Sequence, residues 1–392
     1  MKVLLLAPHP FFQERGTPIA VDLLVRVLCE RGDDVDIVTF HEGFDRQYSH
    51  ASVCRIKPWP RVKGVAPGFS AKKLLCDFYL FFTFAKLFFS RRYDLVHAVE
   101  ESAFMAMLLC PLRRVPFVYD MDSSMVTQMV DKYAPLRWIE GLLRFLESLP
   151  MRFATAVVPV CDALADDVRR YRHKHIVILK DVSLVSGEGG DTGAGNLRTT
   201  LPVQGKLVMY IGNLETYQGI DLLIDSYKIV CEKGPESALV VVGGVDEHIN
   251  AYRAMCSRLG IEKNVFFLGK RPVAQIGQLM AQADVLVSPR IQGVNTPMKV
   301  YSYLHSGVPV VATALPTHTQ VMTEDIAVLT APQPGAFAAG IMRVFDDPQQ
   351  ARRLATQAVD YIEREHSYDA FKKKLNGLYQ TLEQLVAERA GR

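Results

Sequence analysis

The chain has 392 residues, 49% of them hydrophobic and 22% charged, enough for two or three globular domains with sizeable cores. Its 45 basic and 42 acidic residues are mixed along the chain and leave a formal charge of +3, which excludes an electrostatic nucleic-acid binder. Seven scattered cysteines without a C-x-x-C pair exclude a thiol metal site and suit a reduced, cytoplasmic chain.

Lys2 to Ala7 is an apolar run of strand length behind a single lysine, too short for a secretory signal. Pro18 to Arg31 has helical spacing, with Ile19, Leu23, Leu24, Val27 and Leu28 on one face and Asp22, Arg26 and Glu30 on the other. Gly32 stops that helix, and Val35 to Phe40 is the next strand. Residues 74–90, LLCDFYLFFTFAKLFFS, are apolar almost all round but only 17 long and broken by Asp77 and Lys86, short of the roughly 20 apolar residues a membrane span needs. Two readings stay open for this stretch. One is a helix buried in the first domain; the other is a peripheral membrane contact through 72–92, flanked by Lys72, Lys73, Arg91 and Arg92, at the inner face of the membrane. Strands at Leu95–Ala98, Pro116–Tyr119 and Ala156–Val160 follow, separated by helical stretches. Such alternation predicts a parallel sheet covered on both faces.

Composition changes at 182–205, where SGEGGDTGAGN is glycine-rich and aperiodic and reads as a linker. The strands KLVMYIG, ALVVVGG, NVFFLGK, ADVLVSP and GVPVVAT then resume the alternation. The expected organisation is a Rossmann-like domain over 1–181, the linker, a second Rossmann-like domain over 206–366, and a C-terminal helix within 367–392. That helix, Tyr368 to Arg389, carries Phe371, Leu375, Leu378, Leu382 and Leu385 on one stripe and is expected to pack, crossing back to the first domain. The fold class is α/β, two doubly wound domains facing each other across a cleft. Ligands of open parallel sheets bind beyond the carboxyl ends of the strands, so the chemistry should lie on the loops after them.

Two such loops are built alike. GTPIA and NTPMK place Thr17 and Thr296 as N-caps, with Pro18 and Pro297 at the first helical position. Free N–H groups at the positive end of a helix suit a phosphate, although Thr-Pro also starts helices for purely structural reasons. Arg290 and Lys299 flank the second loop as cations for a diphosphate. Gly212 permits close backbone approach; Asn213 and Gln218 are neutral hydrogen-bonding groups, and Lys270 and Arg271 end another strand, where backbone groups could read a nucleobase edge. Asp120-Met121-Asp122 has the form of a metal-binding D-x-D, but cations and helix ends can serve a diphosphate alone, so no metal is expected and Asp122 is read as a polar group near the reacting sugar.

The chain resembles the family-4 glycosyltransferases of the GT-B fold across nearly its whole length. The resemblance is carried by MKVLLLAPHPFFQERGTPIA, YDLVHA at 93–98, YIGNLETYQGIDLLIDSY from Tyr210, VFFLGKRPVAQIGQLMAQADVLVSPR and PMKVYSYLHSGVPVVAT. It implies a retaining, metal-independent transfer of a sugar from a UDP- or GDP-linked donor, with no cofactor, to a glycan or lipid-linked acceptor. The chain departs from the family pattern where members carry an arginine and a lysine for the diphosphate: Asn213 and Gln218 stand there. Val294 and Ser302 stand where members carry two glutamates, and Asp122 where a histidine is usual.

Losing two charged hydrogen bonds from a leaving diphosphate would cost roughly 3–6 kcal/mol. Takeover by Arg290 and Lys299, with Arg15, is therefore the expectation. Gly16, Thr17, Arg290, Thr296 and Lys299 would hold the diphosphate, Ser302 would face the ribose, and Asp122 and Asn295 the sugar and acceptor hydroxyls. Two rival readings are a non-catalytic sugar-nucleotide-binding scaffold of glycan biosynthesis, suggested by the missing pairs, and a sugar-nucleotide epimerase, for which the cleft offers few acid/base groups.

Overall fold

The computed structural model describes the chain apart from residues 14–15, 61, 66–67, 69, 172–174, 185–192, 203–204, 235, 294 and 391–392, and apart from the side chains of 131, 132, 134, 389 and 390. Arg15, Val294 and most of the glycine-rich linker therefore lie outside the described residues. By internal contacts the chain divides into unit 1, residues 1–180 with 371–392, and unit 2, residues 181–370.

Unit 1 holds strands β1 (Lys2–Ala7), β2 (Asp34–Thr39), β3 (Ala51–Arg55), β4 (Leu95–Val99), β5 (Phe117–Met121) and β6 (Ala156–Pro159). Between them run helices α1 (Gly16–Glu30), α2 (Ala71–Ser90), α3 (Ser102–Leu109), α4 (Met125–Lys132) and α5 (Glu140–Phe153), and α6 (Asp162–Arg169) follows β6. The strands form one parallel sheet in the order β3-β2-β1-β4-β5-β6. In the central register Leu5 lies opposite Ile37 on one side and His97 on the other. Both faces are covered, which is why β1 reads VLLLA without alternation.

Unit 2 repeats this plan. It holds α7 (Leu197–Thr200), β7 (Lys206–Ile211), α8 (Ile220–Lys233), β8 (Ser237–Val242), α9 (Asp246–Leu259), β9 (Val265–Gly269), α10 (Val273–Met280), β10 (Val285–Ser288), α11 (Met298–His305), β11 (Val310–Thr313), α12 (Pro316–Thr319), β12 (Val328–Thr330), α13 (Pro334–Asp346) and α14 (Pro348–Glu365). The parallel order β12-β11-β10-β7-β8-β9, read from its other edge, has the same strand sequence as the first sheet. The final helix α15 (Tyr368–Ala390) buries Phe371, Leu375, Leu378 and Leu382. It meets α1 through Lys372–Glu30 at 2.6 Å and Arg31–Glu383 at 2.7 Å.

The structure departs from the sequence expectations in particular places. The edge strands β3 and β12 were not expected: ASVCR is only partly buried and β12 is three residues long, so neither shows an apolar run. Within 182–205, α7 forms a short helix capped by Asn196, whose side chain accepts from the Arg198 N–H at 2.9 Å, while Leu197 is buried. Asp22, expected on the solvent face of α1, is 3% exposed. Arg46 at 2.6 Å, Tyr48 at 2.6 Å and Arg26 at 2.9 Å surround its carboxylate, which removes the penalty of burying it.

The 74–90 stretch is neither wholly buried nor wholly exposed. Ser70 caps α2 by accepting from the Lys73 N–H at 3.2 Å. Cys76, Leu80, Phe84 and Phe88, spaced by four, are buried in the unit 1 core. Phe78, Phe82 and Phe89, each more than half exposed, occupy the outer face. No described helix is long and apolar enough to cross a membrane.

Candidate functional site

In each sheet the strand order reverses between the two central strands, β1 and β4 in unit 1 and β7 and β10 in unit 2. The loops after such a pair diverge and leave a crevice beyond the carboxyl ends. In unit 2 that place is crowded with cations and aromatic hydroxyls.

Tyr303, from α11, clamps the end of β7: its hydroxyl accepts from the Ile211 N–H at 2.7 Å and donates to the Ile211 carbonyl at 3.0 Å. Tyr210 then donates to the Asn213 carbonyl at 2.6 Å, fixing the turn at Gly212. A Cβ at Gly212 would lie 2.8 Å from the Tyr210 hydroxyl and 3.1 Å from the Lys299 Nζ, so glycine is required there by space. Lys299, the second residue of α11, donates from Nζ to Gln218 Oε1 at 3.1 Å and sits 4.0 Å from the centre of the Tyr210 ring. Arg290, just past β10, lies 5.1 Å from the centre of the Tyr217 ring, and its Nε donates to the Gln292 carbonyl at 2.6 Å. Asn213 donates to the Tyr217 hydroxyl at 3.2 Å, which closes the cluster.

The electrostatics follow from that crowding. Burial pushes the Lys299 ammonium well below the ordinary lysine range, and the nearby Arg290 guanidinium pushes it the same way. Burial likewise lowers Arg290. Behind them His318 is held by Ser288 at 2.8 Å and the Thr313 carbonyl at 2.9 Å. Burial carries its pKa down to about 4, so it stands neutral. Two cations lie together here, and among the described residues no carboxylate pairs with either. An anion is the ligand that relieves such an arrangement.

The start of α11 differs from expectation. Pro297, not Thr296, is the N-cap residue, and no side chain caps the helix. Thr296 lies one residue earlier, 7% exposed, and its Oγ1 has no hydrogen-bond partner. A buried hydroxyl without a partner is costly unless a ligand completes it. Thr17 also fails as an N-cap, because α1 already begins at Gly16.

Of the other expected site residues, Asn295 offers its carbonyl to the Thr317 hydroxyl at 2.7 Å. Ser302 is buried and accepts from the Leu184 N–H at 3.1 Å. Arg271 is exposed after the edge strand β9, with β8 between it and β7, so the structure does not bring it into the cluster. Gly16, Thr17 and Asp122 belong to unit 1. The first aspartate of D-x-D, Asp120, contacts His97 Nε2 at 3.2 Å, and His97 Nδ1 meets the Tyr379 hydroxyl at 2.9 Å. Among the described residues no group of three His, Cys, Asp or Glu side chains could hold a metal ion. Sequence reasoning missed Tyr210, Tyr217, Tyr303 and His318. Tyr210 and Tyr303 lie in apolar runs and look like core residues, and only the position of each hydroxyl shows its second role.

Comparisons with known proteins bear on the family and the fold. Residues 15–179 match the family described as Glycosyltransferase Family 4, and residues 198–360 match Glycosyl transferases group 1. The chain is 24% identical over 421 residues to a D-inositol 3-phosphate glycosyltransferase of Corynebacterium glutamicum, covering 97% of this chain and 96% of that one. It is 24% identical over 300 residues, 74% of each chain, to a phosphatidyl-myo-inositol mannosyltransferase of Mycobacterium tuberculosis. Its fold is shared with sucrose-phosphate synthase from Thermosynechococcus elongatus, at a TM-score of 0.77, 18% identity and coverage of 98% and 99%. The same holds for HepE from Anabaena in complex with UDP-glucose, at 0.74, 18%, and coverage of 97% and 100%.

Proposed function

Because the chain belongs to the family-4-like glycosyltransferases of the GT-B fold, we propose that it moves a sugar, with retention, from a UDP- or GDP-linked donor to a glycan or lipid-linked acceptor, with neither metal nor cofactor. The observation that carries this reading is the crevice of unit 2, where Lys299, Arg290 and the unpartnered Thr296 hydroxyl lie at the carboxyl ends of adjacent strands. The HepE complex with UDP-glucose supports the donor class. The relative named for phosphatidyl-myo-inositol supports a lipid-linked acceptor.

In the proposed step the acceptor oxygen bonds to the anomeric carbon on the face from which the diphosphate departs. The carbon–oxygen bond to the diphosphate breaks, and its electron pair leaves with the diphosphate. The acceptor proton passes to a diphosphate oxygen. Lys299 and Arg290 stabilise the developing charge in place of the family's usual pair, and charge placed in advance needs no reorganisation during reaction. Thr296 completes the phosphate contacts, with Gly212 admitting the donor close to backbone and Asn213 and Gln218 as neutral donors. Within unit 2, Ser302 is assigned to the ribose and Asn295 to the sugar hydroxyls; within unit 1, Asp122 is assigned to hydroxyl contacts and Gly16 and Thr17 to backbone N–H groups of α1. Calorimetry with a panel of UDP- and GDP-sugars, followed by transfer and donor-hydrolysis assays, tests this. Near-normal turnover of both Lys299→Ala and Arg290→Ala would remove these residues from the leaving-group role. The neutral Asn213 and Gln218 favour a second reading, a sugar-nucleotide-binding scaffold; binding without hydrolysis or transfer would select it.

The outer face of α2 supports membrane contact on the acceptor side. Phe78, Phe82 and Phe89 are exposed on it, with Lys72, Lys86, Arg91 and Arg92 beside them. The next helices packed on the same core, α3 and α5, expose Leu108, Leu142 and Phe145. Apolar side chains with a basic rim suit an anionic lipid surface. Co-sedimentation with anionic vesicles, lost in Phe78→Ser/Phe82→Ser, is the expected outcome; equal sedimentation of the variant would end this part of the reading.

A further inference from the structure

The opposite end of the charge scale appears in unit 1. Beyond the carboxyl end of β4 lies a cavity of about 420 Å³, within the roughly 300–1,000 Å³ typical of ligand sites. Phe104, Met105, Met125 and Met129 contribute an apolar, adaptable lining, with Leu74 also among the residues around it. The same cavity is lined by three carboxyl groups, Asp77, Glu100 and Glu101, and one lysine, Lys73.

Lys73 pairs with Glu101 and stands 4.0 Å from Glu100. One ammonium therefore faces three acids. Asp77 Oδ1 is buried without a hydrogen-bond partner, and so is the hydroxyl of the fully buried Tyr119, whose electrostatic neighbours include Glu100 and Glu101. Glu100 is held at a positive φ of 49°, a conformation a side-chain-bearing residue adopts only when its surroundings impose it. Its own N–H is fixed to the Asp120 carbonyl at 2.8 Å, and its carboxylate accepts from Ser123 at 3.1 Å. Neither the sequence motifs nor the donor site accounts for these features.

We propose that this cavity is a binding site for an amphiphile carrying a protonated primary amine, its apolar body against Phe104 and the methionines and its ammonium between Asp77 and the Glu100–Glu101 pair. The amine supplies the charge and hydrogen-bond donors that Lys73 alone does not. The titration behaviour agrees: burial and the neighbouring carboxylates raise Asp77 to about 8 and Glu100 to about 7 despite Lys73. The charged groups acting on this pair are Lys73 on α2, Glu101 at the start of α3 and Asp120 on β5. A bound ammonium displaces their protons. The test reads binding and not sugar transfer, so its outcome does not depend on that activity.

The test is calorimetry on the full chain with n-octylamine, n-octanol and octanoate, each in two buffers of different ionisation heat at pH 7.5. Octylamine is expected to bind at least tenfold more tightly than the other two, with proton release read from the buffer dependence. Asp77→Asn and Glu100→Gln are expected to weaken it about tenfold and to reduce that release. Equal binding of octanol, or unchanged octylamine affinity and proton release in both variants, overturns the site. Should either variant fail to fold, a wild-type series decides: octylamine affinity must strengthen from pH 6 to pH 8, and a flat or falling series overturns it. A parallel titration with lysophosphatidylethanolamine assigns the source, since binding of that lipid supports a headgroup ligand and binding of octylamine alone supports a free amine.

Discussion

Two sheets of the same strand order carry opposite charges at the same topological position. In unit 2 the crevice beyond β7 and β10 gathers Lys299 and Arg290, and burial drives both toward losing a proton. In unit 1 the region beyond β4 gathers Asp77, Glu100 and Glu101 around Lys73, and burial drives Asp77 and Glu100 toward keeping one. A doubly wound sheet supplies a crevice and nothing about its ligand; side chains on four or five loop and helix positions set the sign of what binds. Each unit is destabilised electrostatically where it stands empty, in opposite directions.

The largest expected effect that could break this contrast is on the cationic side. Lys299→Ala combined with Arg290→Ala should lower kcat/KM for sugar transfer by roughly 10²- to 10⁴-fold, the worth of two charged hydrogen bonds, with thermal melting used to check that the fold persists. Gly212→Ala should weaken nucleotide binding roughly tenfold by calorimetry, because the added Cβ crowds the Tyr210 hydroxyl and the Lys299 Nζ. Proton linkage sharpens the contrast further. A bound diphosphate favours the charged form of Lys299, so protons exchanged at this residue on UDP binding should be taken up, the opposite sign to the release expected with octylamine in unit 1.

A stability measurement separates the units without any ligand. Folded Asp77 and Glu100 hold protons up to about 8 and 7, against ordinary values of 3.8 and 4.5. Between these limits the folded chain binds more protons than the unfolded one. This contribution is therefore full below about pH 4 and is lost as pH rises through 7 to 8. The melting temperature of the chain should fall as pH rises from 5 to 8, and Asp77→Asn should flatten that slope. The smallest effect is the most diagnostic for Thr296. Thr296→Val removes a buried hydroxyl that lacks a partner, so the empty chain should melt no lower, while UDP affinity falls about 3- to 10-fold. A loss of stability without a loss of affinity would assign Thr296 to the core.

Much of the frame could be read along the chain. Continuous apolar runs such as VLLLA and LVVV mark strands buried on both faces, and the Phe371–Leu375–Leu378–Leu382 stripe marks the packed side of α15. The clustering of Arg290 and Lys299 was legible because both flank one strand-to-helix loop. The edge strands β3 and β12 were not, since partial exposure and three-residue length erase the pattern. Arg271 and Arg290 each follow a strand in sequence; strand order alone shows how far apart they lie, by placing β9 at the sheet edge and β10 beside β7.

What the sequence determined by itself is the alternation of strands and helices, because burial periodicity is local and each element must hide its own apolar face. Tertiary structure alone decided which charges share a desolvated volume. Asp77 and Glu100 are 23 positions apart in the chain and Gln218 and Lys299 are 81 apart, yet each pair lines one site. Coulomb energy depends on distance through the fold and on lost water, and neither quantity is written in the order of residues along the chain.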